Sequence, residues 1–327
     1  MALTPCLAML KVDALTTWYW TRRGPVRAVN EVSFSVGRHQ AVGIVGETGS
    51  GKSTVVRSLT RLIRPPGRIM GGTVQLGELS LLGLPEGQLR KVRGAQVGFV
   101  GQSPFGSLHP ILTVETQFRN VIAAHRSVTR AEARAIALGL LHDVGIGGPE
   151  RVLGSYSHEL SGGMAQRVVI AIAMSLKPML LVADEPTTAL DLTVQRQILD
   201  LLQGLSERGD TSVLLVTHDL GVVAQYCDWV IVMYAGKIVE QGPVDRVFVR
   251  PLHPYTIALL QAVPRVGYPL VGLAGGRVDL INYPTGCPYR RSCPLAFARC
   301  ENDVPVLRPT QDGRLVSCHL ISDQAGV

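Results

Sequence analysis

The sequence predicts an α/β fold in which apolar strands of an open sheet carry polar, chemistry-bearing turns at their carboxyl ends. Three observations predict it. Ala41-Val-Gly-Ile-Val45 is a short apolar run that opens at once into the Gly-rich turn Gly46-Glu47-Thr48-Gly49-Ser50-Gly51-Lys52-Ser53-Thr54. Met179-Leu-Leu-Val-Ala183 is a second run and ends in Asp184-Glu185, and Ser212-Val-Leu-Leu-Val-Thr217 is a third and ends in His218-Asp219. Short unbroken apolar runs bounded by turn signals read as strands buried on both faces. Open sheets of such strands present their functional groups at the strands' carboxyl ends.

The first turn fits G-x-x-x-x-G-K-[S/T], with a helix predicted over Ser53 to Ile63. Glycines let the backbone turn its N–H groups inward around a β-phosphate, and the helix N-terminus adds positive potential. Lys52 is suited to neutralise β/γ charge, and the Ser53 hydroxyl to ligate Mg²⁺. After the second strand, Asp184 suits the outer coordination shell of Mg²⁺ and Glu185 is placed to polarise an attacking water. A helix cap or a solvated acidic turn is the other reading of that pair, because Pro186 follows. His218 at the end of the third strand is suited to sense a γ-phosphate; elsewhere a lone histidine more often caps or packs.

Leu160-Ser161-Gly162-Gly163-Met164 precedes an apolar helix predicted over Arg167 to Leu176. A hydroxyl and bare amides at a helix N-terminus aim at an anion. A simple N-cap accounts for Ser161 but not for the second glycine. Since the chain's own phosphate loop fills the cis position, a second chain is the natural partner. Gln102 stands at the entrance of a mostly helical segment, about 101–165, whose exit carries Ser161, and it is placed to couple Mg²⁺ and a γ-phosphate to that segment. The other reading of Gln102 is an ordinary loop residue ahead of the Ser103-Pro104 turn.

Composition bounds the rest. A chain of 327 residues exceeds a single nucleotide-binding domain and leaves room for a small appended module. The net charge of +7 is scattered and aromatics are 5%, which argues against nucleic acid as a partner and for a solvated surface near anionic lipid headgroups. Mean hydropathy is +0.23, a value that fits burial against membrane partners. No apolar run approaches the ~18 residues that span a bilayer. The longest candidate, Val168 to Leu176, stops at Lys177, and residues 1–10 lack the charged start of a secretory signal. These features predict a peripheral protein at the cytoplasmic face of the cell membrane.

Walker A (46–54), a Q-loop at Gln102, the Leu-Ser-Gly-Gly signature (160–163), Walker B (180–184 with Glu185), a D-loop at Ala189-Leu190-Asp191 and a switch His218 occur in one order. In these motifs the chain resembles the ATP-binding cassette (ABC) family, over roughly residues 8 to 327. The resemblance implies a P-loop nucleotide-binding domain with a RecA-like mixed sheet core, an antiparallel β edge and an α-helical signature subdomain. It implies ATP hydrolysis with Mg²⁺ and a head-to-tail dimer in which Ser161, Gly162, Gly163 and Asp191 meet ATP held on the opposite Walker A. It also implies an aromatic residue stacked on adenine. Alignment on Ala28-Val29-Asn30 selects Tyr19, with Trp18 and Trp20 as flanking alternatives. The chain departs from its relatives at Gly101, where they usually carry an aromatic residue.

The tail narrows the resemblance. Pro251-Leu-His-Pro-Tyr-Thr256, Leu259-Leu260, Pro264 and the run Gly286-Cys287-Pro-Tyr-Arg-Arg-Ser-Cys293-Pro with Cys300 are similar to the C-terminal extension of oligopeptide/dipeptide importer ATPases. So is Asp184-Glu-Pro-Thr-Thr-Ala-Leu-Asp191 with Thr193-Val194-Gln195. The implied organisation is a cassette over 8–250 and an extension over 251–327. The implied partners are a second, distinct ATPase subunit, two transmembrane permeases and a substrate-binding protein. Glutathione, nickel chelates and antimicrobial peptides are alternative cargoes, and a soluble non-transport ABC ATPase is the rival reading.

Four of the six cysteines, Cys287, Cys293, Cys300 and Cys318, fall in this tail. In a cytosolic chain such clustering favours a metal over disulfides. Paired C-x-x-C knuckles of zinc modules are absent, and irregular spacing suits a cubane. The resemblance implies that these four hold a [4Fe-4S] cluster, with Zn²⁺ or free or disulfide-bonded cysteines as alternatives. Cys6 and Cys227 stand apart, and Cys227 reads as core.

Overall fold

The computed structural model describes residues 8–188, 190–208, 211–263 and 278–322. Ala189 of the D-loop motif, Pro264 and Cys6 lie outside the described residues.

The strands in chain order are β1 (Leu10–Thr21), β2 (Gly24–Val36), β3 (Ala41–Val45), β4 (Gly67–Leu76), β5 (Leu79–Ser80), β6 (Val97–Val100), β7 (Leu180–Asp184), β8 (Ser212–Val216), β9 (Trp229–Tyr234), β10 (Lys237–Pro243), β11 (Arg308–Pro309) and β12 (Leu315–Val316). The helices are α1 (Lys52–Leu59), α2 (Glu86–Val92), α3 (Pro104–Ser107), α4 (Val114–Ala123), α5 (Arg130–Asp143), α6 (Pro149–Gly154) and α7 (Gly162–Met174), followed by α8 (Leu192–Arg208), α9 (Leu220–Tyr226), α10 (Val244–Val249), α11 (Pro254–Gln261), α12 (Arg299–Asn302) and α13 (His319–Ser322). They form two compact units. One takes Gly37–Ala41 and the described residues of Gly83–Val216; the other takes Leu10–Val36, Val42–Leu82 and the described residues from Thr217 onward.

In the first unit β6, β7 and β8 are parallel, in the order 6-7-8. Every residue of β7 and β8 is buried, as the two apolar runs require. Helices α3 to α7 carry the insert expected from the sequence, and their starts are written in local chemistry. Thr113 caps α4, and Thr129 with Glu132 forms a capping box on α5. Helix α7 begins at Gly162 rather than near Arg167 and ends at Met174, because the Ser161 side chain accepts from the Met164 amide and starts the helix earlier.

In the second unit β3 pairs in parallel with β9, and β9 pairs antiparallel with β10, so the sheet is mixed. A two-residue turn, Ala235 (φ 47°) and Gly236 (φ 80°), joins β9 to β10 with the left-handed geometry a tight hairpin needs. A separate antiparallel sheet, ordered β2-β1-β4-β5, forms the β edge. Helix α1 is shorter than the span predicted to Ile63. Leu62 N donates to Arg57 O at 2.8 Å and Arg61 N to Ser58 O at 3.1 Å, with Arg61 left-handed (φ 54°), which is a Schellman closure. The tail builds into one apolar cluster in which Tyr255, Cys287, Tyr289 and Cys300 pack with Val45, Val230, Val232 and Tyr234.

Candidate functional site

The phosphate-binding loop is fixed by backbone geometry that only glycine accepts. Gly46 has φ 151°, and a Cβ there would stand 2.2 Å from Met233 O; Gly51 has φ 105°, and a Cβ would stand 2.2 Å from Ala28 O. The loop therefore leaves β3, passes close to two carbonyls and enters α1 with Gly51 as the N-cap and no side chain on the helix's first amides. Those amides are the donors a phosphate takes. Lys52 is buried, and its Nζ donates to Gly46 O at 2.7 Å and Glu47 O at 3.0 Å, which holds the ammonium against the loop. Ser50 Oγ is buried and has no hydrogen-bond partner among the described residues. An open cavity of about 190 Å³ runs along Glu47, Thr48, Gly49 and Ser50, with Tyr234, Ala235, Val278 and Leu280 on its other side. Ser53 and Thr54 follow Lys52 in the first turn of α1, both partly exposed.

The aromatic residues of β1 are placed differently from one another. Tyr19 packs over Gly67, where a Cβ would come within 2.7 Å of its ring. Trp18 carries the Arg27 guanidinium 5.1 Å from its ring centroid, and its buried Nε1 has no hydrogen-bond partner among the described residues, whereas Trp20 is exposed. His218 is exposed on the turn after β8, beside Asp219, whose Oδ1 caps α9 through Gly221 N at 2.8 Å.

In the other unit the acidic turn is organised around Glu185. Asp184 ends β7 fully buried, while Glu185 is only half-buried and adopts φ 50°, a left-handed conformation that non-glycine residues rarely take. Its amide donates to Val216 O at 2.9 Å, which anchors the strained residue to β8. The carboxylate Oε2 accepts from Thr188 Oγ1 at 3.0 Å and from Gln102 Nε2 at 3.3 Å. The alternative of a helix cap for this pair is not what the chain builds: α8 is capped by Asp191, whose Oδ1 accepts from Val194 N at 2.9 Å.

At the signature, Ser161 does cap α7. The second glycine, Gly163, has a packing reason that sequence reasoning missed. A Cβ there would lie 2.7 Å from Val194 Cγ1, so the glycine lets the first turns of α7 and α8 approach. Gly162 is less constrained, its nearest neighbour being Leu190 at 3.7 Å.

Cys287, Cys293, Cys300 and Cys318 line one enclosed cavity of about 20 Å³, room for about one water. Burial raises the thiol pKa of Cys287 to about 11, and it raises those of Cys293 and Cys318. Among the described residues no group of three or more His, Cys, Asp or Glu is arranged to hold a metal ion. The [4Fe-4S] and Zn²⁺ expectations thus find four thiol donors on one cavity but no ligand arrangement among the described residues. Cys227 packs at Gly43, with burial pushing its thiol up to about 12, in keeping with a core role. Among the described residues no helix is long and apolar enough to cross a membrane.

Comparison with known proteins agrees with this geometry. Residues 29–188 match the family described as ABC transporter, and residues 239–300 match the oligopeptide/dipeptide transporter C-terminal region. The chain is 41% identical over 320 residues to the oligopeptide transport ATP-binding protein AppD of Bacillus subtilis, covering 97% of this chain and 98% of that one. It is 41% identical to the dipeptide transport ATP-binding protein DppD of Escherichia coli, covering 98% and 99%. Among solved structures it resembles the dimeric post-hydrolysis state of the ATP-binding cassette MJ0796 bound to ADP and Pi. The TM-score is 0.65 at 30% identity, over 72% of this chain and 99% of that one.

Proposed function

The chain belongs to the ABC transporter family, and we propose that it is the ATP-hydrolysing subunit of an importer for di- and oligopeptides. The observation that carries this reading is the presence, in one chain, of the Gly46–Thr54 phosphate loop and the strained Glu185 at the end of β7 together with the peptide-transporter tail. Relatives along nearly the whole length are named for oligopeptide and dipeptide transport, which supports peptide as the cargo over glutathione, nickel chelates or antimicrobial peptides.

The division of labour follows from the chemistry of the residues. Lys52 and the amides from Gly49 to Thr54 take the charge of the β- and γ-phosphates. Ser53, with Gln102 and Asp184, would hold Mg²⁺, which supplies charge neutralisation between phosphates. Glu185 accepts a hydrogen bond from the attacking water and orients its oxygen towards the γ-phosphorus, while His218 steadies the γ-phosphate. The water oxygen bonds to phosphorus as the bond to the β-phosphate oxygen breaks, and the water proton passes to the departing phosphate. Ser161, Gly162, Gly163 and Asp191 meet the nucleotide of a second cassette, and one of Trp18, Tyr19 and Trp20 stacks on adenine, with Tyr19 the first choice. Binding closes two cassettes, hydrolysis reopens them, and the permeases follow.

We divide the chain into a cassette, 8–250, with its helical subdomain at about 101–165, and an extension, 251–327. For the four tail cysteines we propose a [4Fe-4S] group of structural role on the ground of their thiol chemistry and shared cavity, although they are not arranged as metal ligands in this structure. The partners are a second and distinct cassette, two transmembrane permeases and a substrate-binding protein, with the chain peripheral on the cytoplasmic face. Affinity purification from gently solubilised membranes tests the assignment. Recovery of two multi-spanning permeases and a second cassette is expected, and recovery of ribosomes or nucleic acid without a membrane subunit would replace it with a soluble ATPase.

A further inference from the structure

We infer that Tyr255, the second residue of α11, is a positioning residue for the phosphate-binding loop, so that the tail sets the affinity of the cassette for nucleotide. Its hydroxyl oxygen accepts from the Glu47 amide at 3.0 Å, across 208 positions of sequence. The inference rests on the reading of Gly46–Thr54 as the phosphate site of ATP.

Glu47 is the residue through which the loop turns away from β3. Its carbonyl accepts from Lys52 Nζ at 3.0 Å and from Ser50 N at 3.1 Å. Both faces of the Glu47 residue are therefore committed: the carbonyl to the lysine that meets phosphate, the N–H to Tyr255. Without the phenol oxygen that N–H loses its partner, and the loop gains freedom at the point where Lys52 is held.

Tyr255 is itself held from behind by a continuous chain of hydrogen bonds. Its amide donates to His253 Nδ1 at 3.0 Å, which caps α11 and requires the imidazole to be neutral at that nitrogen. His253 N donates to Glu240 Oε2 at 2.9 Å, and Arg314 Nη1 donates to Glu240 Oε1 at 3.3 Å. Tyr255 is wholly buried, and its ring packs on Tyr234 at 4.5 Å and Tyr289 at 5.4 Å between centroids. A tyrosine gripped at both its amide and its ring places its hydroxyl with little freedom. The tail thus presents one fixed acceptor to the phosphate loop, and nothing in the chemistry of ATP hydrolysis itself requires it.

Tyr255→Phe removes the oxygen and keeps the ring. The full-length protein is titrated with ATP and with ADP, and steady-state hydrolysis is measured beside it. The dissociation constants of both nucleotides are expected to rise about fivefold or more, as for loss of one partner of a buried hydrogen bond, and KM with them. The rate at saturating ATP stays within about twofold of wild type, because the loop, once filled, is ordered by phosphate. Tyr289→Phe, in the same aromatic cluster but with a hydroxyl that does not take the Glu47 amide, is expected to bind ATP as wild type does. Amide hydrogen exchange in the wild-type protein gives a second reading, with the Glu47 amide protected. Unchanged affinity in Tyr255→Phe, an equal loss in Tyr289→Phe, a fall in saturated rate without a change in affinity, or an unprotected Glu47 amide would overturn the inference. Failure of the wild-type protein to bind ATP would instead remove the phosphate-site reading beneath it.

Discussion

Gln102 and Glu185 share a hydrogen bond of 3.3 Å although 83 positions separate them. The glutamine stands where the helical insert begins, and the glutamate ends the strand that carries the acidic turn. In the proposed mechanism, where the Glu185 carboxylate orients water, a movement of the insert that displaces Gln102 would remove a donor from that carboxylate.

Gln102→Ala is therefore expected to lower the hydrolysis rate at saturating ATP and Mg²⁺. A hydrogen bond to a charged group contributes about 1.5–3 kcal/mol, so the saturated rate should fall roughly tenfold or more. Steady-state kinetics decide it; a raised KM at unchanged rate would assign Gln102 to binding instead.

Gly46→Ala tests the loop's backbone. The new Cβ meets Met233 O, a main-chain atom that cannot turn aside, at a φ of 151° that alanine avoids. Nucleotide binding by titration is expected to be lost, with the apolar core outside the loop intact by circular dichroism. Normal ATP affinity would show the loop to be built differently.

Arg314→Met probes the buried pair that backs Tyr255. Glu240 is wholly buried and Arg314 nearly so, and burial raises the Glu240 carboxyl above its ordinary 4.5, against amide bonds from His253 and Leu252 and the Arg314 charge. A raised carboxyl adds stability that is complete below its ordinary pKa and is lost as pH rises through the folded value. Removing the guanidinium raises it further. The variant should lose about 3–5 kcal/mol at pH 7, and the gap to wild type should narrow as pH falls toward 5. A deficit that is the same at both pH values would mean that packing, not charge, holds the site.

The cysteine quartet makes a compositional prediction. Protein purified without oxygen is expected to contain iron and acid-labile sulfide in near-equal amounts and to absorb near 400 nm, and Cys300→Ser to lose both. Zinc in their place, or no metal at all, would refute the cluster.

Much of the phosphate loop was legible because its constraints are contiguous: glycine at the two positions where a Cβ meets a carbonyl, lysine and serine at the head of a helix. The acidic turn was legible as residues but not as geometry, since the left-handed backbone of Glu185 is imposed by its bond to Val216, 31 positions away. The end of α1 escaped pattern reading because the apolar spacing continues past Arg61, whereas the chain closes on Ser58 and Arg57. Gly163 was read as an anion-facing amide, and its close approach to Val194 needed the placement of α8. Tyr255 carried no signal of its own beyond a tail motif, because its partner on the phosphate loop precedes it by most of the chain.

The most direct test of the central claim is ATP binding and hydrolysis by Glu185→Gln beside wild type. The amide keeps the shape and loses the charge that orients the water. Retained ATP affinity with turnover reduced about 100-fold or more is the predicted result, the size expected for loss of the side chain that positions the attacking water. Turnover equal to wild type would contradict the account and move the catalytic group away from the end of β7.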